Sequence, residues 1–312
     1  MDELTAQFPE RGVRFGRSGN LVGVATRGAG TPAREVPTAV FLNSGIIHRV
    51  GANRLYVRLA RALARQGIPS FRFDLSGIGD SGPHQDDPGV TRAAVVQRDI
   101  DDALSVLSAA GVERFVLIGL CSGADDALSA MSRHDRVVGA VLLDPFTFRT
   151  LGYYVRYYAP RVLRPGVWWR IITGRSPALR NFLTVMRGRL RGFAKPAAAR
   201  GGGGSTSRPT RAEMHRQLER LVERQARLLL VFTAGLELRY NYRNQFFAAF
   251  PGLEFRDTVE LEYLAHSDHT FSRERDQRRL EELLVSWYRR EFGRPQRAEP
   301  FGAPTSIRTA QA

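Results

Sequence analysis

The sequence predicts an α/β protein: a mostly parallel, eight-stranded sheet with helices on both faces and an inserted helical cap. Three observations lead there. Short apolar runs fit for buried strands alternate with stretches whose apolar residues recur at helical spacing. That alternation favours parallel strands joined by crossover helices. It stops after Pro145 and resumes only near Leu228, which marks an insertion.

The elements follow in order. Arg14–Phe15 and residues 21–25, joined by Ser18, Gly19 and Asn20, read as a hairpin. Residues 38–43 form a short apolar strand. In 53–66, Leu55, Leu59 and Leu63 make one helical stripe, and Gly67 closes it. A strand at 68–73 precedes a helix at 90–110 with Val96, Ile100, Ala103 and Leu107 on one face, ended by Gly111. A strand at 114–118, a helix at 123–132 and a strand at 137–143 complete the first part. Beyond the insertion come a strand at 228–232, a helix near 242–250, a strand at 259–264 and a helix at 273–291 carrying Leu280, Leu283, Leu284 and Trp287. The expected division is a core of 1–145 and 227–292, a cap of 146–226 with a flexible loop at 196–210, and a disordered tail from 293.

Composition narrows the class. With 43% hydrophobic residues in 312, the chain can bury a substantial core. The start Met1-Asp2-Glu3-Leu4 lacks a basic and then apolar leader, and no aliphatic run is long enough to span a bilayer. A cytoplasmic enzyme is expected, with peripheral contact at the inner membrane surface as an extension. The single cysteine cannot form an internal disulfide. The net charge of +15 is concentrated: between Arg149 and Arg211 the chain has 14 Arg or Lys residues and no Asp or Glu. Aromatics interleave with arginine there, at Tyr153, Tyr154, Tyr157 and Tyr158 and again at Trp168 and Trp169. Such a surface suits something anionic, a coenzyme A phosphate, an acidic acyl carrier protein or anionic lipid. No nucleic-acid motif accompanies the charge, and nucleic acid is not expected.

The chemistry is signalled at Gly119-Leu120-Cys121-Ser122-Gly123, between a strand and a helix. A very tight strand-to-helix turn needs small residues two positions either side of its apex, whose side chain then stands at the carboxyl end of the sheet. Gly119 and Gly123 bracket Cys121; bracketing Ser122 would require Leu120, which is too large. The helix N-terminus that follows favours a thiolate and a developing oxyanion.

Here the chain resembles the α/β-hydrolase superfamily over nearly all of residues 12–292 apart from the insertion. Besides the elbow, Asp74-Leu75-Ser76-Gly77-Ile78-Gly79-Asp80-Ser81 is similar to the family's turn after the fourth strand. Asn43-Ser44-Gly45-Ile46 stands at its oxyanion turn, and Ser267-Asp268-His269-Thr270-Phe271 resembles its terminal histidine motif. The run from Gly45 to Leu55 and the cysteine elbow resemble, more narrowly, the hydrolases associated with exosortase and exopolysaccharide gene clusters. The resemblance implies Cys121 as nucleophile, His269 as its base, and the Ile46 and Ser122 amides as oxyanion hole. It places the acid just after residues 228–232, at Glu237, with Asp144 as the alternative. His48 and Arg49 are candidates to touch substrate; no metal or cofactor is expected. Two residues depart from the family pattern, cysteine for serine and Asn43 for histidine.

A cysteine nucleophile forms a thioester intermediate, close in energy to a thioester substrate, so an acyl thioester or activated ester is expected, hydrolysed or transferred. The alternative is a non-catalytic scaffold or membrane-surface subunit of a polysaccharide or lipid assembly system.

Overall fold

The computed structural model describes residues 10–29, 36–84, 89–162, 209–236 and 239–293. Strands β3 (Thr38–Leu42), β4 (Ser70–Asp74), β5 (Phe115–Leu120), β6 (Val137–Leu143) and β7 (Arg227–Thr233) are buried along nearly their whole length, which explains their continuous rather than alternating apolar runs. With β1 (Glu10–Phe15), β2 (Leu21–Thr26) and β8 (Val259–Leu264) they form one sheet of eight strands among the described residues, in the order β1-β2-β4-β3-β5-β6-β7-β8. β1 and β2 pair antiparallel, β2 joins β4 antiparallel, and from β4 to β8 every pairing is parallel. The predicted fold class is the observed one.

Helices cover both faces. α1 (Leu55–Ala64) and α7 (Glu274–Phe292) pack on one side over Val116, Ile118, Val141, Leu229 and Val231, with Leu59, Leu63, Leu284 and Trp287 between them. Arg58 Nε meets Glu281 Oε1 at 2.7 Å and ties the two helices at their rim. Because side chains alternate along a strand, the remaining residues of β5 face the other way. There they meet α3 (Ser122–Met131), which is flanked by α2 (Arg92–Ala109) and α5 (Arg211–Glu223).

The chain divides into two compact units. The first, Met1–Phe146, Thr206–Leu236 and Gly252–Ala312, holds the sheet. The second comprises Thr147–Ser205 and Glu237–Pro251. This differs from the sequence division in two places. α5, expected in the cap, belongs with the sheet because Met214, Leu218 and Leu221 bury one face of it. Residues 239–251, expected in the core, belong to the second unit. There Tyr242 Oη lies 2.6 Å from Thr150 Oγ1, and Asn241 Nδ2 and Gln245 Nε2 donate to the carbonyls of Tyr153 and Phe148. These bonds fix α4 (Leu151–Val162) beside the short α6 (Gln245–Ala249). The aromatic run at 167–172, the low-complexity stretch at 196–208 and the tail from 294 lie outside the described residues. No helix among the described residues is long and apolar enough to cross a membrane.

Candidate active site

Parallel strands present all their carboxyl ends on one edge, and every candidate group of the first unit leaves from there. Cys121 follows β5, Asp144 follows β6, Gly235 follows β7, His269 follows β8, and the turn from Asn43 to Ile46 follows β3.

The elbow is as tight as its glycines suggest. A Cβ on Gly119 would lie 2.1 Å from Gly123 O, and one on Gly123 would lie 2.4 Å from Asn43 O. At the apex Cys121 has φ 58° and ψ −120°, a conformation that costs about 1–3 kcal/mol for a side-chain-bearing residue. Its N–H donates to Leu143 O at 2.9 Å, which helps hold the bend. The thiol is part-exposed and free of disulfide.

His269 is bonded to Asp144, and Cys121 is near enough to act on the same imidazole. Its Nδ1 lies 2.7 Å from Asp144 Oδ2. The Asp144 side chain is fully buried, and Thr233 donates to it twice, from the amide to Oδ1 at 2.7 Å and from the hydroxyl to Oδ2 at 2.6 Å. The order of preference read from the sequence is therefore reversed: Asp144 holds the imidazole. Asp144 reaches it because its backbone turns to φ 49° directly after β6. Glu237 lies outside the described residues. Thr233 was not singled out from the sequence as an anchor; a threonine closing an apolar strand is too common to signal one.

The hydrogen bond to Asp144 and then that to Cys121 raise the His269 imidazole from its ordinary 6.5 to about 10, against an opposing effect of burial. The histidine turn is itself braced. Asp268 accepts from the amides and hydroxyls of both Thr270 and Ser272. Burial pushes its carboxyl up, but these bonds outweigh it and hold Asp268 at about 2.

The oxyanion turn is built by polar contacts. Ser122 heads α3, so its amide is among those that helix geometry leaves without an intrahelical acceptor. Its hydroxyl accepts from Gly45 N–H at 2.7 Å, joining the elbow to the turn that carries Ile46. Ile46 itself is 89% exposed. Asn43, where the family pattern has histidine, is buried; its Nδ2 donates to Ile47 O at 2.8 Å and its Oδ1 accepts from Leu75 N–H at 2.8 Å. Arg49, a candidate for substrate contact, spends its guanidinium on Asp74 and Asp80 and braces their turn instead. His48 is exposed, with Nδ1 3.5 Å from Val50 N.

No protein-family model and no curated protein matches the sequence. Solved structures do match. An esterase from Pyrococcus furiosus is 15% identical, with 93% of each chain covered and a TM-score of 0.56. The esterase domain of a Rhodothermus marinus protein is 18% identical, covering 90% of this chain and 99% of its own, at 0.53. An α/β serine hydrolase homologue from Coxiella burnetii is 16% identical, covering 89% and 96%, at 0.51.

The chain has the α/β-hydrolase fold. At such low identity the likeness speaks for the fold alone. What an α/β-hydrolase frame does with a cysteine at its elbow has to be argued from the side chains.

Proposed function

We propose that the chain is a cysteine-dependent acyl enzyme that hydrolyses or transfers the acyl group of a thioester or activated ester. The observation that carries this reading is His269 bonded to buried Asp144 and close enough to Cys121, at the tip of a strained elbow, to feel its thiol. The esterase and hydrolase descriptions of the similar structures support the reaction class. The run from Gly45 to Leu55, together with the cysteine elbow, supports kinship with the exosortase- and exopolysaccharide-associated hydrolases.

Cys121 Sγ attacks the acyl carbon from a thiolate–imidazolium pair, the thiol proton already resting on His269, whose protonated form Asp144 favours. The carbonyl electrons move onto oxygen, and the Ile46 and Ser122 amides receive that charge. Collapse re-forms the carbonyl and breaks the bond to the leaving thiolate or alkoxide, which takes the proton from His269. The acyl-cysteine is then attacked by water or an acceptor hydroxyl or amine. That nucleophile gives its proton to His269, and sulfur departs as thiolate with the product, which restores the pair. Asp144 remains ionised throughout, orienting the imidazole and stabilising its protonated form.

Incubation with a p-nitrophenyl ester or an acyl thioester, followed by peptide mass mapping, is expected to find the acyl group on Cys121. Cys121→Ala should lose both label and turnover. Full activity in that variant would sink the assignment.

A further inference from the structure

Tyr56 is a buried titratable side chain that the reaction above does not use. It is the second residue of α1, 1% exposed, and its hydroxyl accepts from Leu120 N–H at 2.9 Å. Leu120 directly precedes the nucleophile. The sheet explains why its amide needs a side-chain partner. β3 pairs with β5 only as far as Leu42 opposite Gly119, before the chain turns through Asn43 to Ile46. On the other side β6 follows β5 one residue further, to Leu143 opposite Leu120. Successive amides of a strand point to opposite edges, and Cys121 N–H points to β6, where it donates to Leu143 O. Leu120 N–H therefore points to the side that β3 has left. A buried amide without an acceptor is costly, and the Tyr56 hydroxyl takes the place of a β3 carbonyl.

The run from Gly45 to Leu55 delivers this ring. Tyr56 N–H donates to Val50 O at 3.1 Å, and the ring lies 5.2 Å from that of Phe41 in β3. A Cβ on Gly51 would lie 2.9 Å from Tyr56 Cγ, so a side chain there would displace the ring. The bond bears on the nucleophile because Cys121 is strained. A residue stays at φ 58° only where its surroundings over-determine it. Two bonds clamp the chain there from opposite sides, Leu120 N–H to Tyr56 and Cys121 N–H to Leu143. Burial pushes the phenol above its ordinary 10; the Leu120 bond opposes this, and the charge of Cys121 adds to it. The phenol is thus neutral and close enough to the sulfur to feel it.

We propose that Tyr56 is a positioning residue for the nucleophile: by holding Leu120 N–H it fixes the elbow, and with it the place of Cys121 Sγ beside His269. This role rests on Cys121 being the nucleophile. Tyr56→Phe keeps the ring and removes the hydroxyl. Alkylation of Cys121 by iodoacetamide, followed across pH in the full chain, is expected to shift to higher pH in the variant. At about pH 6 it should slow by about threefold or more, because the thiolate loses its alignment with the imidazolium. kcat for a p-nitrophenyl ester should fall by about tenfold, with KM within about twofold of wild type. A role in stability alone would lower the melting temperature and leave both the pH profile and kcat in place. That result in folded protein would overturn the proposal, and so would a rise in KM alone. Should Tyr56→Phe fold poorly, a fluorotyrosine at position 56 keeps the shape and weakens the hydroxyl as acceptor. It is expected to move the profile the same way, and an unmoved profile would again overturn the proposal. Alkylation needs no acyl substrate, so a wild type inactive on esters, with a shifted profile in the variant, would sink the acyl enzyme and keep the role of Tyr56.

Discussion

The Asp144 carboxylate receives three hydrogen bonds, two from Thr233 and one from His269 Nδ1, in a place closed to solvent. A buried charge with that many donors is held in one orientation. Asp144→Asn keeps the shape but loses the charge and favours the wrong imidazole tautomer. Turnover in that variant should fall by about a hundredfold or more, while Glu237→Gln stays near wild type. The same variant has a pH signature. Since His269 is raised from 6.5 to about 10, with Asp144 as first cause, its protonation contributes stability fully below about pH 6.5. That contribution is lost as pH climbs through about 10. Melting temperatures measured across this range should therefore decline for wild type and stay flatter for Asp144→Asn; parallel curves would deny the coupling.

Single elements bring these residues together, and one close approach lies where the turn after β7 passes the histidine turn after β8. A Cβ on Gly235 would stand 2.5 Å from His269 N and 2.9 Å from His269 Cβ, so any side chain there must displace the imidazole. Gly235→Ala is expected to lower turnover by about tenfold or more while Cys121 still reacts with iodoacetamide. Unchanged turnover would mean that the turn yields without moving the ring. α5 was legible in principle: Thr210 and Glu213 form a capping box ahead of Met214, Leu218 and Leu221. It leads directly into β7, but the strand before it, β6, ends far upstream at Leu143, so the helix does not fall into the regular alternation.

Across the molecule, cohesion centres on the apolar layer between the sheet and the α1–α7 pair. Trp287 is buried there against Tyr288 and Phe292, beside Gly139 of β6. Trp287→Ala should cost about 3–5 kcal/mol, read as a lower urea midpoint, with the far-ultraviolet spectrum of the folded state retained. A much smaller loss would mean that the layer collapses into the void. This layer lies below the strands, and the reactive groups stand at their carboxyl ends.

The strands, the main helices and the elbow frame were decided by residues close in sequence. Burial on both faces forces continuous apolar runs, and a turn tight enough to press Gly119 on Gly123 admits no other bracket. The same holds for the brace of Asp268, Thr270 and Ser272 around His269. Which carboxylate meets the imidazole could not be decided that way. Asp144 and His269 are 125 residues apart, and on pattern alone Glu237, after the next strand, was preferred to Asp144. The register of β6 on β7 and the left-handed turn at Asp144 settled it, and both are products of packing. Packing likewise decided which side of α4 faces water: an apolar stripe in sequence promises burial, and only the assembled unit shows it outside.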